Sequence, residues 1–201
     1  MAKVKLKFSI IVFSLILSLF SIFYLFPSKI YAANYPNSSI QISTGDVLYS
    51  SKGWQTFFVG HVAVVGDDGK IYHSTPAVST GGVGDTLTTY LSRWDPGSTF
   101  TVYKFKPDQY GPFLEPYNAG KWARNNVGSI NNYSFTSDLQ MSNIATNYCS
   151  KFIWQAYYYG ANTNIDRPYL GNYMSGSSST IWTPADFKAS PVLKSVGSFT
   201  N

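Results

Sequence analysis

Cysteine, histidine and glutamate are nearly missing from this 201-residue chain, and their scarcity narrows its chemistry. Cys149 is the one cysteine, so no internal disulfide can form and no CxxC pair exists to build a thiolate metal site. The one glutamate is Glu115, beside a proline, and the aspartates fall mostly in turn-like contexts, so no carboxylate pair for glycoside cleavage stands out. No HExxH helix is present, and Gly81-Gly82-Val83-Gly84 lacks the Lys-Ser/Thr that completes a phosphate loop, reading instead as a flexible loop. A zinc site from His61, His73 and Cys149 has no second cysteine to support it, so neither a metal nor another cofactor is expected. Charge is also sparse, with only 12% of residues charged.

Long apolar runs are confined to the N-terminus. Lys3, Lys5 and Lys7 precede an uncharged run from Phe8 to Phe26, followed by Pro27-Ser28-Lys29-Ile30-Tyr31-Ala32-Ala33. This is the layout of a secretory signal peptide, with residues 1–32 removed after Ala32 and residues 33–201 forming one domain. At about 1.5 Å per residue the run nearly spans a bilayer, so a retained anchor is the alternative. The whole chain has fifteen basic and ten acidic residues, a net charge of +5. Four of those basic residues lie in the signal, leaving eleven against ten. A near-neutral mature domain gives no basic face for nucleic acid, and no second membrane span follows. The expected location is secreted or attached to the cell envelope.

Strand signals open the domain. After a polar, turn-prone arm over residues 33–44, Asp46-Val47-Leu48-Tyr49 and His61-Val62-Ala63-Val64-Val65 read as strands, with a loop from Ser50 to Gly53 and an aromatic Phe57-Phe58 between them. Asp67-Asp68-Gly69 marks a turn, and Lys70-Ile71-Tyr72-His73-Ser74 should return antiparallel. A three-residue turn sets Gly66 against Lys70 and puts His61 and His73 diagonally on one face, whereas a two-residue turn would separate them. The three-residue turn is expected. Thr86 to Trp94 fits a short helix or turn, Thr99 to Phe105 another strand, and Tyr117 to Val127 a helix stopped by Gly128. Ser129 to Asn143 reads as a polar loop. Cys149, Phe152, Ile153, Ala156 and Tyr157 then repeat at helical spacing, with Thr146 or Asn147 as N-cap and Gly160 as stop. Thr183-Pro184-Ala185-Asp186 reads as the cap and first turn of a last short helix.

A cysteine at a helix start is placed for nucleophilic work, since the helix dipole and spare amides favour a thiolate and can bind an oxyanion. Cys149 also sits on the apolar stripe of its helix, where free cysteines are commonly buried core residues. What separates these readings is that both histidines fall in one hairpin. His61 is the candidate base or imidazolium partner, against a strand-end histidine bonded to a carbonyl; His73 is the candidate orienting group, against a solvated loop residue. Tyr148 and Tyr49 are candidate oxyanion or substrate contacts.

Gly45-Asp46-Val47-Leu48, Gly60-His61-Val62-Ala63-Val64-Val65, Tyr148-Cys149-Ser150-Lys151-Phe152-Ile153-Trp154-Gln155-Ala156-Tyr157 and Thr183-Pro184-Ala185-Asp186-Phe187 together resemble the YiiX/YebB-like branch of the NlpC/P60 cysteine hydrolases. The resemblance spans roughly residues 45–190 and implies an α+β, circularly permuted papain-like fold, with the antiparallel sheet packed against the cysteine helix. It also implies Cys149 as nucleophile and His61 as base; lecithin retinol acyltransferase-like relatives carry a second histidine where this chain has His73. The function so implied is an exported cysteine peptidase or amidase that cleaves cell-wall peptides through an acyl-enzyme, its partner being a cell-envelope peptide or another amide or ester substrate. A lipid or small-molecule acyltransferase or esterase of the same fold is the alternative, and a non-catalytic envelope-binding module is a third.

Overall fold

The structure is a computed structural model that describes residues 33–51, 60–106, 114–166 and 174–201. All of these belong to one compact unit, Tyr31–Asn201. The expected signal peptide and the Phe57-Phe58 stretch lie outside the described residues.

Apolar and β-branched central strands, with glycine-rich and polar strands at the two edges, build a six-stranded sheet in the order β4-β3-β2-β1-β5-β8, antiparallel at every pairing. Its strands are β1 (Val47–Ser50), β2 (His61–Val65), β3 (Ile71–Ser74), β4 (Gly82–Asp85), β5 (Thr99–Phe105) and β8 (Leu193–Thr200). Central β1 and β2 are buried at every position because both faces of the sheet are covered. On one face Val47, Tyr49, Val62 and Val64 join a core with helices α2 (Leu114–Asn126) and α3 (Cys149–Gln155). On the other, Leu48, Ala63, Val65, Phe100 and Val102 pack with Tyr35, Phe199 and the short helix α1 (Leu87–Leu91). Full burial of each large side chain contributes about 1.5–3 kcal/mol, so an apolar interior on both sides is what holds β1 and β2 central.

The hairpin register is the one expected. Val64 pairs with Tyr72 and Val65 with Ile71, and the Gly66 N–H donates to the Lys70 carbonyl at 2.8 Å, closing a three-residue turn in which Gly69 takes φ +82°. Both histidines therefore share a face.

Four expectations need correction. Gly82 to Gly84 is not a flexible loop but part of edge strand β4, paired with β3. The glycines permit close approach, since a Cβ at Gly84 would lie 2.4 Å from the Tyr72 ring. Helix α2 starts at Leu114 rather than Tyr117, because Pro116 falls in the first turn, where an amide proton has no helical partner to lose. The polar segment after Ser129 holds β6 (Asn132–Tyr133), which pairs in parallel with β7 (Thr146–Asn147). Finally, the N-cap of α3 is Tyr148, not Asn147 or Thr146, and it makes no side-chain capping bond. The Asn147 side chain is committed elsewhere, donating to Gln155 Oε1 at 2.7 Å while accepting the Tyr148 N–H at 3.0 Å. Beyond Gln155 the helix widens into a π turn over Ala156–Gly160, ending at the expected glycine.

Two features are not marked by local pattern, the strand at the far edge and the docking of the expected N-terminal arm. β8 closes the far edge of the sheet with few apolar positions, chiefly Leu193 and Phe199. The N-terminal arm tucks in, with Tyr35 stacked on Phe199 at 4.7 Å and its hydroxyl donating to Asp46 at 2.9 Å.

Candidate active site

Every residue of α3 is buried, including Ser150, Lys151 and Gln155, and these polar side chains are satisfied. Gln155 donates to the Met141 carbonyl at 2.6 Å and Lys151 to the Thr146 carbonyl at 2.9 Å, tying the preceding loop to the helix. Burial lowers the Lys151 amine to about 8. Cys149, the first residue of α3, is only 3% exposed. Burial pushes its thiol up to about 11, although amides of Val62, Ser150 and Cys149 itself pull the other way. The expected depression of the thiol by its helix start is thus not realised in the substrate-free chain, because desolvation outweighs the amides.

The position of Val62 locates the sulfur. Along β2 the Val65 amide points to β1 and the Gly66 amide to β3, so by alternation the Val62 amide also points toward β3. Ladder pairing with β3 stops at Val64 and Tyr72, and the Val62 amide turns to the Cys149 sulfur instead. The thiol therefore lies at an opening between β2 and β3, one residue from His61.

A small pocket of about 50 Å³ stands over the thiol, lined by Tyr133, Phe135, Tyr148, Cys149, Ser150, Ile181, Trp182, Thr183 and Pro184. The residues flanking Cys149 fix one wall. The Tyr148 hydroxyl accepts the Trp182 N–H at 3.2 Å, and the Ser150 hydroxyl donates to the Trp182 carbonyl. At the rim, Phe135 and Ile181 remain 38% and 43% exposed, although both are apolar.

On the other side of the opening, His61 Nε2 and His73 Nδ1 are 2.9 Å apart. His73 Nε2 lies 3.0 Å from Asp85 Oδ2, and Arg93 donates to Asp85 through Nε at 2.6 Å and through its terminal nitrogen at 2.9 Å. Both imidazoles are buried, at 7% and 1% exposure. Tyr90 sits edge-on to His73 at 5.1 Å, and Trp94 tilts against His61 at 5.7 Å. Burial lowers both histidines; His73 and then Arg93 lower His61 further, while the Asp85 carboxylate partly opposes the effect on His73. Burial alone would raise the Asp85 carboxyl, but hydrogen bonds from His73 and Arg93 overcome it and hold the group well below the usual range. The resting site is therefore a neutral thiol and two neutral imidazoles over a charged Asp85-Arg93 pair.

The three residues singled out for chemistry fall around this one opening. His61 and His73 are joined directly, while no hydrogen bond links the thiol to His61 among the described residues; His73 engages Nε2 of His61, so Nδ1 is the nitrogen outside that pair. Such bonds commonly tighten only when substrate is bound. Tyr148 lines the pocket as a wall, whereas Tyr49 does not line it and lies under the Lys188 ammonium at 4.6 Å. Asp85, Arg93, Tyr90 and Trp94 were not anticipated. Reading β4 as a loop hid Asp85, since only strand pairing places it beside His73.

Residues 4–179 match the family described as lipoprotein N-acylation protein LnsA-like. The chain belongs to this LnsA-like family. Its fold is similar to the crystal structure of metalloprotein yiiX from Escherichia coli O157:H7, with a TM-score of 0.51 over 79% of this chain and 98% of that one, at 14% identity. At that identity the likeness concerns the fold alone, a mixed α+β architecture with an antiparallel sheet. No curated protein sequence matches. Although yiiX is described as a metalloprotein, the described residues of this LnsA-like chain contain no group of three or more His, Cys, Asp and Glu suited to a metal. One nitrogen of each histidine, Nε2 of His61 and Nδ1 of His73, faces the other ring.

Proposed function

We propose that this LnsA-like protein is a thiol acyltransferase of the cell envelope that carries a fatty acyl group on Cys149. The observation that carries this reading is Cys149 in the lining of an apolar pocket, its sulfur against the amide of Val62, whose neighbour along β2 is a histidine bonded to a second histidine. The family's description, lipoprotein N-acylation, supplies the direction of transfer. Envelope association follows from the same description and from the apolar, lysine-flanked N-terminus.

The steps balance without a cofactor. His61 Nδ1 takes the thiol proton as sulfur attacks the carbonyl carbon of an acyl ester; the C–O bond breaks, and the leaving alkoxide receives that proton. An amine then attacks the thioester, the S–C bond breaks, and the amine proton returns to sulfur through His61. Peptide N–H groups of Cys149 and Val62 are the candidate oxyanion donors. His73 keeps the His61 ring in place throughout. Because thiol and imidazole are neutral at rest, proton transfer accompanies attack rather than preceding it.

Two substrate classes arise from the sequence, and the pocket orders them. A wall peptide presents several amide groups that need polar partners, whereas Tyr133, Phe135, Ile181, Trp182 and Pro184 offer mainly apolar surface. An acyl chain therefore comes ahead of a peptidoglycan stem peptide, and transfer ahead of peptidase or amidase action of the NlpC/P60 kind. The test uses p-nitrophenyl acetate, octanoate and palmitate, with intact-mass measurement of the protein. Acyl adducts on Cys149, formed faster with the longer chains, are expected. Absence of any adduct, or equal turnover by Cys149→Ala, would overturn the reading.

A further inference from the structure

We propose that Asp85, clamped by Arg93, is a positioning residue that fixes the tautomers of both imidazoles so that His61 Nδ1 carries the free lone pair. The inference rests on the reading of Cys149 as nucleophile and His61 as its base. It follows from counting donors along one buried chain. Arg93 gives two N–H groups to the carboxylate, at 2.6 Å to Oδ2 and 2.9 Å to Oδ1, in the fork geometry that suits guanidinium and carboxylate. An ionised carboxylate only accepts, so His73 Nε2, at 3.0 Å, must carry the proton. Neutral His73 then has a bare Nδ1, and the 2.9 Å contact can be a hydrogen bond only if His61 Nε2 donates. Neutral His61 is left with its lone pair on Nδ1.

Without the carboxylate, the pair is free to invert. His73 Nδ1–H would donate to His61 Nε2, and His61 Nδ1 would bear a proton and accept none from the thiol. Around the rings, Tyr90 and Trp94 pack through their aromatic faces and edges, and Ser50 stands opposite His61 across the β1–β2 pairing; its hydroxyl, able to donate or accept, is compatible with either state and does not choose between them. Asp85 also lies where charge is needed later. When His61 accepts the thiol proton, the cation formed is separated from the carboxylate by one imidazole.

The chain has only two histidines, so ¹⁵N-histidine labelling gives four imidazole nitrogens that report the tautomers directly. In the wild-type protein near neutral pH, both Nε2 atoms should be protonated and both Nδ1 atoms bare. Asp85→Asn, whose amide can donate to His73, should invert or mix these states and slow acylation of Cys149 by p-nitrophenyl octanoate by about 10²–10⁴-fold, with KM within about twofold. Asp85→Glu should restore part of the rate, and Arg93→Lys should lose about tenfold or less, since charge survives without the fork. Inverted wild-type tautomers, or an Asp85→Asn protein with unchanged tautomers and rate, would overturn the proposal. Should Asp85→Asn fail to fold, the wild-type spectrum alone decides. Cys149→Ala separates the two ideas: turnover surviving in that variant defeats the nucleophile reading, while the spectrum still decides the tautomers.

Discussion

On the face of the sheet covered by α2 and α3, Cys149 belongs to an apolar core with Val62, Val64 and Phe152, and its polar company is peptide N–H groups and Ser150. On the opposite face, His61, His73, Asp85 and Arg93 form a chain of charged and neutral groups joined at 2.6–3.0 Å. Both regions are buried, yet they manage burial differently. The thiol is kept neutral by desolvation and held by its helix, so its reactivity waits on a base. The imidazoles are kept neutral too, but their orientation is set by bonded partners down to an ion pair. The thiol side is thus defined by packing and the imidazole side by hydrogen bonds, and the two meet only where pairing between β2 and β3 stops.

The sharpest way to break this division is Cys149→Ala, which removes the proposed nucleophile but leaves a small residue in the same core. Complete loss of acyl-enzyme in intact-mass spectra, with little change in thermal melting, is expected. His61→Gln attacks the other side and should slow acylation by about 10²–10⁴-fold, the usual contribution of a general base. A fall below tenfold would show that the thiol reacts without it.

A smaller effect tests the pocket. Phe135 and Ile181 are half-exposed, so each contributes less than full burial of an apolar side chain. Replacing both by serine should cost about 1 kcal/mol apiece for a long chain, raising KM for octanoyl ester roughly 30-fold while acetyl ester changes little. Equal loss for both esters would deny the rim a role in chain recognition.

Acid should distinguish the two sides as well. The folded-state values of His61 and His73 lie below 6.5, so the unfolded chain binds more protons as pH drops past that value, and stability declines from there downward. Asp85, held below its ordinary 3.8, adds a further loss once pH falls past that point. Urea midpoints measured against pH should show both declines, with Asp85→Asn losing the second. On the thiol side the sign reverses: its raised value favours the fold below the ordinary 9.0, and that contribution is lost as pH climbs toward about 11. Iodoacetamide labelling of the substrate-free protein should likewise gain speed up to that alkaline range, and a plateau below neutrality would contradict a resting neutral thiol.

The mildest change is Ser150→Ala. It removes the hydroxyl that holds the Trp182 carbonyl, and a loss of about 1 kcal/mol in chemical denaturation is expected, with the pocket wall loosened. No change in stability would mean that the Tyr148 contact to Trp182 suffices.

Much of the frame could be read from local pattern. The Asp67-Asp68-Gly69 turn set the register that brings His61 and His73 onto one face, because in a strand the side-chain period is two and a one-residue slip would have parted them. Helical spacing from Cys149 to Tyr157 was equally plain. What escaped was held together by distant partners. β4 is glycine-rich and β8 is mostly polar, so neither carries a strong strand pattern, and each becomes a strand only by pairing at an edge. Asp85 and Arg93 were invisible for the same reason: an acid in a supposed loop gives no hint that it faces an imidazole. Tyr148 as the cap of α3 was also unreadable, since Asn147, the better capping residue by type, is drawn away to Gln155.

By itself the sequence determined the chemical inventory and its local geometry: one thiol at a helix start, two imidazoles on one hairpin face, and no second metal-binding cysteine. These depend on residue type and on repeats of two or about 3.6 residues, which short stretches of chain enforce without help. Tertiary structure alone decided that the thiol is buried and neutral, that its pocket is apolar, and that an Asp85-Arg93 pair stands behind the histidines. Desolvation and long-range hydrogen bonding depend on what arrives from elsewhere in the fold, and no local pattern records that arrival.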